Sequence, residues 1–157
     1  MEKIKVLFIC HGNICRSTMA EMVMKDIVRK NNLESEFFID SSATSNEEIG
    51  NNVHYGTRSK LKEVGIRCDN HFAKRMTKAD YDKFDFIIGM DSANIRNIKY
   101  IAGGDSENKV KRLLSYANIE RDIADPWYTG NFDETFDDVL LGCTKLFENI
   151  KNSVHLK

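Results

Sequence analysis

The run Val6-Leu7-Phe8-Ile9-Cys10-His11-Gly12-Asn13-Ile14-Cys15-Arg16-Ser17 sets the architecture of the chain. Its first four residues are apolar without alternation, which reads as a strand buried on both faces, and the strand is placed over 3–10. From Ser17 and Thr18 onward, apolar residues recur at helical spacing. The chain therefore passes from strand to helix through one short polar loop. In that geometry successive backbone N–H groups converge on a concavity, and the positive end of the helix dipole points to the same place, which makes an oxyanion site. Cys10 opens the loop and Arg16 closes it, so a thiol lies beneath the anion and a guanidinium beside it. Loop amides, helix end and Arg16 each favour the thiolate, a ready nucleophile.

The helix after the loop runs to about Lys30, with Met19, Met22, Val23 and Ile27 on its apolar stripe and Glu21, Lys25 and Arg29 on its polar face. Thr18-x-x-Glu21 has the form of a capping box. The methionines stand at core spacing, which argues against a metal or redox role. A second strand follows over 36–42, and strand, helix, strand at this separation implies a right-handed parallel unit. Further on come a helix over 52–64 closed by Gly65, a strand over 84–89, a helix over 90–100 starting near Asp91, and a short strand over 110–114. A long amphipathic helix over 133–152 buries Phe136, Val139, Leu140, Cys143, Leu146, Phe147 and Ile150. Gly103-Gly104-Asp105-Ser106 reads as a surface loop. The expected fold is α/β: a single doubly wound domain over 1–157, with a four-stranded parallel sheet, helices on both faces and the phosphate-binding loop after the first strand. Ligands of such sheets lie beyond the carboxyl ends of the strands, at the switch in winding direction, and Cys10 is at such an end.

Composition narrows the function classes. The 23 basic and 24 acidic residues are intermixed, so there is neither a basic patch for nucleic acid nor a polybasic membrane tail. Cysteines 10, 15, 68 and 143 have neither zinc spacing nor the density of a secreted scaffold, and no N-terminal apolar stretch suits a signal or a membrane span. A cytoplasmic location with reduced thiols is expected, without metal or cofactor. Cys68 and His71 form a Cys-x2-His fragment that lacks a second ligand pair. His54 and His155 read as surface residues, and Cys143 as core.

Asp125-Pro126-Trp127-Tyr128 is the second chemical element. Pro126, the one proline of the chain, stiffens a loop that carries two adjacent aromatics. From these residues alone, Asp125 is either an acid–base group or the cap of a turn, since Asp-Pro commonly starts turns.

Val6 to Ser17 closely resembles the signature of the low-molecular-weight protein tyrosine phosphatases, Cys-x5-Arg-Ser after the first strand. The likeness extends through almost the whole chain, because the length fits and Asp40-Ser41, Ala43-Thr44-Ser45, Met90-Asp91 and Asp125-Pro126 stand in the family's order. It implies hydrolysis of protein phosphotyrosine and small aryl phosphates through a cysteinyl-phosphate. Cys10 is then the nucleophile, Arg16 the phosphate clamp and Asp125 the general acid and later base, while Ser17 donates a hydrogen bond to the leaving sulfur. The implied substrate contacts are His11, Gly12, Asn13, Ile14, Cys15 and Ser17 of the loop and Glu47, Trp127 and Tyr128 of the wall. Asn13, Ser41 and His71 match positions that hold the loop in shape, and Asn13 suits a left-handed backbone. A bell-shaped, mildly acid pH optimum follows from needing a thiolate together with a protonated Asp125.

The family carries a second cysteine where Cys15 stands, which implies a reversible disulfide that protects Cys10 from over-oxidation; a small residue packed under the loop is the alternative. The implied partners are phosphotyrosine-containing proteins or aryl phosphates, with no nucleic acid and no membrane, and a monomer is expected. Three positions depart from the family pattern. His11 is usually apolar, Thr18 replaces a proline, and Glu47 stands where relatives often have an aromatic or apolar wall residue. An acid at that rim disfavours acidic substrates and suits a basic residue beside the phosphotyrosine. Ile14 supports the phosphotyrosine reading: the arginine-phosphatase branch has a threonine there that reads the guanidinium, whereas an apolar side chain suits an aryl ring. An arsenate reductase would need two further cysteines as a relay, and Cys68 and Cys143 are far apart in sequence. A phosphocarrier of the sugar-transport type has no need of Arg16 or Asp125. A silent phosphopeptide-binding module is disfavoured by intact Cys10, Arg16 and Asp125.

Overall fold

The computed structural model describes residues 2–153. β1 (Ile4–Cys10) is the inner strand that the apolar run predicts, pairing in parallel with β2 (Phe37–Ala43) on one side and β3 (Phe86–Gly89) on the other. β4 (Val110–Arg112) extends β3, giving the order β2-β1-β3-β4, all parallel. Alternate residues of β1 serve different layers, as the two-residue period of a strand requires. Val6, Phe8 and Cys10 join a core with α1 (Arg16–Lys30) and α6 (Phe132–Ser153), while Leu7 and Ile9 join a second core with α3 (Lys78–Lys83) and α4 (Ser92–Ala102). Helices thus cover both faces of the sheet, as expected. α2 (Tyr55–Glu63) packs against α6 and α1, and α5 (Pro126–Thr129) is a single turn leading into α6.

Several local expectations shift. α2 begins at Tyr55, because Asn52 just before it makes an antiparallel bridge with Phe72. β4 stops at Arg112, where a 3-10 turn (Leu113–Ala117) drops Leu113 and Leu114 into the core. α3 lies in a stretch to which the sequence pattern assigns no element, and a capping box of Thr77 and Asp80 starts it. Gly103–Ser106 is more than a surface loop. Gly103 takes the left-handed conformation that ends α4, and Asp105 accepts from Tyr81 Oη at 2.6 Å and from the Lys109 amide at 2.8 Å. Leu140 is 39% exposed and does not belong to the buried stripe of α6, whose other predicted members are buried. Met19, Met22 and Met24 are fully buried in the core, and Cys143 lies beside them. His155 lies outside the described residues. No helix among those described is long and apolar enough to cross a membrane.

The capping-box reading of Thr18 and Glu21 is overturned. α1 begins two residues earlier, at Arg16, with Cys15 at the cap position and no side-chain cap. Thr18 Oγ1 instead donates to the Cys15 carbonyl at 2.9 Å, and Glu21 is turned inward at 2% exposure. The first-turn amides of α1 are left facing the loop, which is where an anion takes them.

Candidate active site

β1 ends at Cys10, and the chain returns through 11–15 into α1. Asn13 makes this turn possible: it adopts φ 61°, in the left-handed region, and is fully buried. Its side-chain amide is used at every position. Nδ2 donates to Ser17 Oγ at 2.8 Å and Ser41 Oγ at 2.9 Å, and Oδ1 accepts from the Lys74 amide at 3.2 Å and from His71 Nε2 at 2.8 Å. Ser41 Oγ in turn donates to Glu21 Oε1 at 2.6 Å, and Lys25 pairs with the other Glu21 oxygen at 2.6 Å. The structure therefore brings Asn13, Ser41 and His71 together and adds Glu21. Sequence reasoning missed Glu21 because helical periodicity groups it with Lys25 and Arg29. Burial lowers the His71 imidazole's pKa, while Glu21 and Asp40 act in the opposite sense.

Cys10 is 3% exposed, with Sγ 3.0 Å from Ser17 Oγ and accepting from the Asn13 amide at 3.3 Å. Because Asn13 already donates to Ser17 Oγ, the Ser17 hydroxyl hydrogen is free to point at the sulfur. Arg16 is equally buried. Its Nη1 donates to Asp91 Oδ2 and to the Ile123 carbonyl, each at 2.8 Å, and its Nη2 faces Asp125 Oδ2 at 3.4 Å. Burial opposes the guanidinium charge, but Cys10, Asp125 and Asp91 outweigh it and raise the Arg16 pKa. Asp91 is both the family landmark and the helix start that the sequence indicates: its Oδ1 accepts from the Asn94 amide at the start of α4, so one carboxylate caps a helix and aims Arg16.

Asp125 fulfils the turn reading and also faces the site. Oδ1 accepts from the Trp127 amide at 3.0 Å and caps α5, leaving Oδ2 toward Arg16. A single cavity lies between the two loops. Cys10, His11, Gly12, Ile14 and Cys15 line it from the anion loop; Asp125, Trp127 and Tyr128 line it from the loop that leads into α6, and Glu47 and Glu48 from the segment after β2. Asn13 and Ser17, implied as substrate contacts, are fully buried and absent from that lining. Glu48 was not anticipated. Its Cγ lies 3.2 Å from where a Gly12 side chain would begin, so Gly12 is what lets the two segments close together. At the mouth, Glu47 Oε2 meets His11 Nε2 at 2.7 Å, both well exposed.

Cys10 and Cys15 are both free thiols. Cys15 packs against Ile14 and Ala73, and burial, with Cys10 and Asp125 adding and Arg16 opposing, pushes its pKa up to about 12. His54, read as a surface residue, is half-buried: its ring lies against Tyr55, Phe132 and Trp127, and its Nδ1 accepts from the Gly56 amide at the start of α2. Cys68 joins no ligand cluster. Among the described residues, the one His, Cys and carboxylate group close enough to share an ion is Glu21, Asp40 and His71, and each already has a partner in Ser41, Lys74 or Asn13.

Comparison with known proteins fits this geometry. A family model described as low molecular weight phosphotyrosine protein phosphatase matches residues 5–156. The chain is 40% identical over 155 residues to the low molecular weight protein-tyrosine-phosphatase YfkJ of Bacillus subtilis, covering 98% of this chain and 99% of that protein. It is 34% identical to the enzyme PtpA of Staphylococcus aureus over 98% of each. The crystal structure of YfkJ superposes with a TM-score of 0.94 over 98% of both chains. That of the low molecular weight protein tyrosine phosphatase of Streptococcus pyogenes gives 0.84 at 41% identity, over 94% of this chain and 93% of the other.

Proposed function

The chain belongs to the low-molecular-weight protein tyrosine phosphatases, and on that footing we propose that it hydrolyses protein phosphotyrosine and small aryl phosphates, with Cys10 as nucleophile, Arg16 as clamp and Asp125 as acid and base. The observation that carries this is one cavity lined by both Cys10 and Asp125, with Arg16, behind that lining, placing Nη2 3.4 Å from the Asp125 carboxylate. In the first step Cys10 Sγ attacks phosphorus, the bond to the phenolic oxygen breaks, and Asp125 gives its proton to that oxygen. A negatively charged phosphate entering beside Asp125 takes up the free donors of Arg16 and the amides at the head of α1. In the second step water attacks the cysteinyl-phosphate, its proton passes to Asp125, and the sulfur departs as thiolate stabilised by Ser17 Oγ and the Asn13 amide.

The aryl group lies against Ile14, Trp127 and Tyr128, and the Ile14 side chain offers no hydrogen-bond partner to a guanidinium at its position. The working unit in this reading is a cytoplasmic monomer without a nucleic-acid or membrane partner, a view supported by the near balance of 23 basic and 24 acidic residues. Phosphate release from matched phosphotyrosine and phosphoarginine substrates, with Cys10→Ser as the blank, tests the assignment. Release from phosphotyrosine alone is expected. Release from phosphoarginine removes Ile14 as selector, and release from neither by a folded protein removes the activity.

A further inference from the structure

We propose that His54 is the positioning residue that braces the acid loop against the anion loop, so that proton delivery to the leaving group depends on its ring. This rests on Asp125 being the acid. His54 makes three kinds of contact. Its backbone amide donates to the Ile14 carbonyl at 2.9 Å, tying it to the anion loop, and its own carbonyl accepts from the Arg58 amide within α2. Its Nδ1 accepts from the Gly56 amide at 3.0 Å, an N-cap made by an imidazole where Ser, Thr, Asp and Asn are usual. Its ring meets Trp127 edge-on, with centroids 5.6 Å apart and planes at 74°, a favoured aromatic arrangement. Trp127 then donates its amide to Asp125 Oδ1 at 3.0 Å. An unbroken path of contacts therefore runs from Ile14 through His54 and Trp127 to the carboxyl that faces Arg16.

The ring is itself held from behind. Phe132, the first residue of α6, stacks on it at 5.4 Å with planes 17° apart, and Tyr55 stacks on it at 4.5 Å. Gly56 makes room for this. A Cβ there would fall 2.3 Å from the Phe132 ring, so a side chain at 56 would push Phe132 off the imidazole. Burial and the neighbouring Arg58 lower the His54 pKa, with Glu48 opposing, which keeps the Nδ1 lone pair available to the cap. The acid loop has few other restraints: Trp127 is 56% and Tyr128 82% exposed, and α5 has only four residues.

Two variants separate the brace from the cap. His54→Asp keeps an N-cap acceptor and removes the ring; His54→Phe keeps the ring and removes the acceptor. The readout is kcat/KM for a series of aryl phosphates of rising leaving-group basicity, because a misplaced acid penalises poor leaving groups and spares those that depart unaided. His54→Asp is expected to lose about tenfold on an unactivated phenyl phosphate while a dinitrophenyl phosphate changes far less, since small displacements of a catalytic group are costly. His54→Phe is expected to keep the wild-type dependence on leaving group and to lose melting temperature. Asp125→Asn is measured beside them. If it steepens the dependence and His54→Asp does not, the brace is wrong and the acid stands; if Asp125→Asn leaves the dependence flat, the acid assignment falls and the brace with it. Equal losses on every substrate in both His54 variants would assign His54 to folding alone and overturn the positioning role.

Discussion

Around Cys10 the polar side chains are committed to the shape of the loop, with Asn13, Ser17, Ser41, His71 and Glu21 hydrogen-bonded below the surface, whereas Asp125 stands on a four-residue helix whose two aromatics face solvent. The two regions close one cavity but meet different demands. Stabilising an oxyanion requires donors that do not reorganise as charge shifts, and a buried, satisfied network supplies that. Protonating a leaving group attached to a protein requires an acid at an open rim, where loops tolerate different neighbours. Substitutions in the first region should therefore damage catalysis and fold together, and those in the second catalysis alone.

Cys10→Ser should give the largest loss, ~10⁴-fold or more in phosphate release from an aryl phosphate, because an alcohol in this setting is no substitute for a thiolate. The paired cysteines sharpen the point. With its pKa near 12, Cys15 is almost wholly protonated at neutral pH, so iodoacetamide at pH 7 should label Cys10 and leave Cys15, with inorganic phosphate slowing the reaction. Peptide mass spectrometry reads the outcome, and comparable labelling of both would erase the difference between nucleophile and neighbour.

Asp125→Asn should cost ~10²–10³ in kcat/KM on phenyl phosphate. Asn caps a helix as well as Asp does, so α5 should persist and the melting temperature should stay close to wild type. The proposed mechanism needs a nucleophilic thiolate together with a proton on the acid, so the wild type should show a bell-shaped pH profile and the variant should keep its acid limb and lose its alkaline one. A large loss of melting temperature in this variant would mean that the acid loop is as structural as the anion loop.

Asn13→Ala tests the opposite region. It leaves Ser17, Ser41, His71 and the Lys74 amide each short of a partner and places Ala at φ 61°, so a loss of ~2–4 kcal/mol in urea unfolding is expected, together with weaker inhibition by phosphate. Stability equal to wild type would break the contrast between the regions.

How far each region was legible follows from the same difference. The anion loop is local in sequence, so Cys10 and Arg16 are readable from spacing, as is the sheet from the apolar run that precedes it, while Asn13 follows from the family likeness and from the suitability of Asn for a left-handed backbone. The network beneath it is long-range: Ser41 and His71 required the family likeness, and Glu21 was lost because a helical wheel shows which way a side chain points but not what β2 brings against it. Thr18 and Glu21 mimic a capping box, yet Arg16 must begin the helix to reach Asp91 and Ile123, and that start places Thr18 inside it. The aromatic contacts of His54 with Trp127 and Phe132 join two segments more than seventy residues apart, and no periodicity announces them.

The smallest expected effect concerns the rim where the two regions meet. Glu47, Glu48 and Asp125 line the cavity, and among the described residues no lysine or arginine lines it with them. A phosphotyrosyl peptide with arginine beside the phosphotyrosine should therefore be favoured several-fold over one with glutamate, a rim charge effect of the kind that governs encounter more than final affinity. Glu47 also faces His11 at 2.7 Å, and the two side chains are 70% and 51% exposed, so water and salt weaken the pair. Glu47→Gln should lower the arginine-over-glutamate ratio by about two- to threefold, and raising the ionic strength from low to molar salt should shrink the wild-type ratio by a similar amount. A ratio that is unmoved by the substitution but still falls with salt would assign the preference to Glu48, which also lines the cavity and lies against Gly12. A ratio of one in the wild type would show that the buried charges around Arg16 alone govern recognition, and the mouth would then belong energetically to the anion loop.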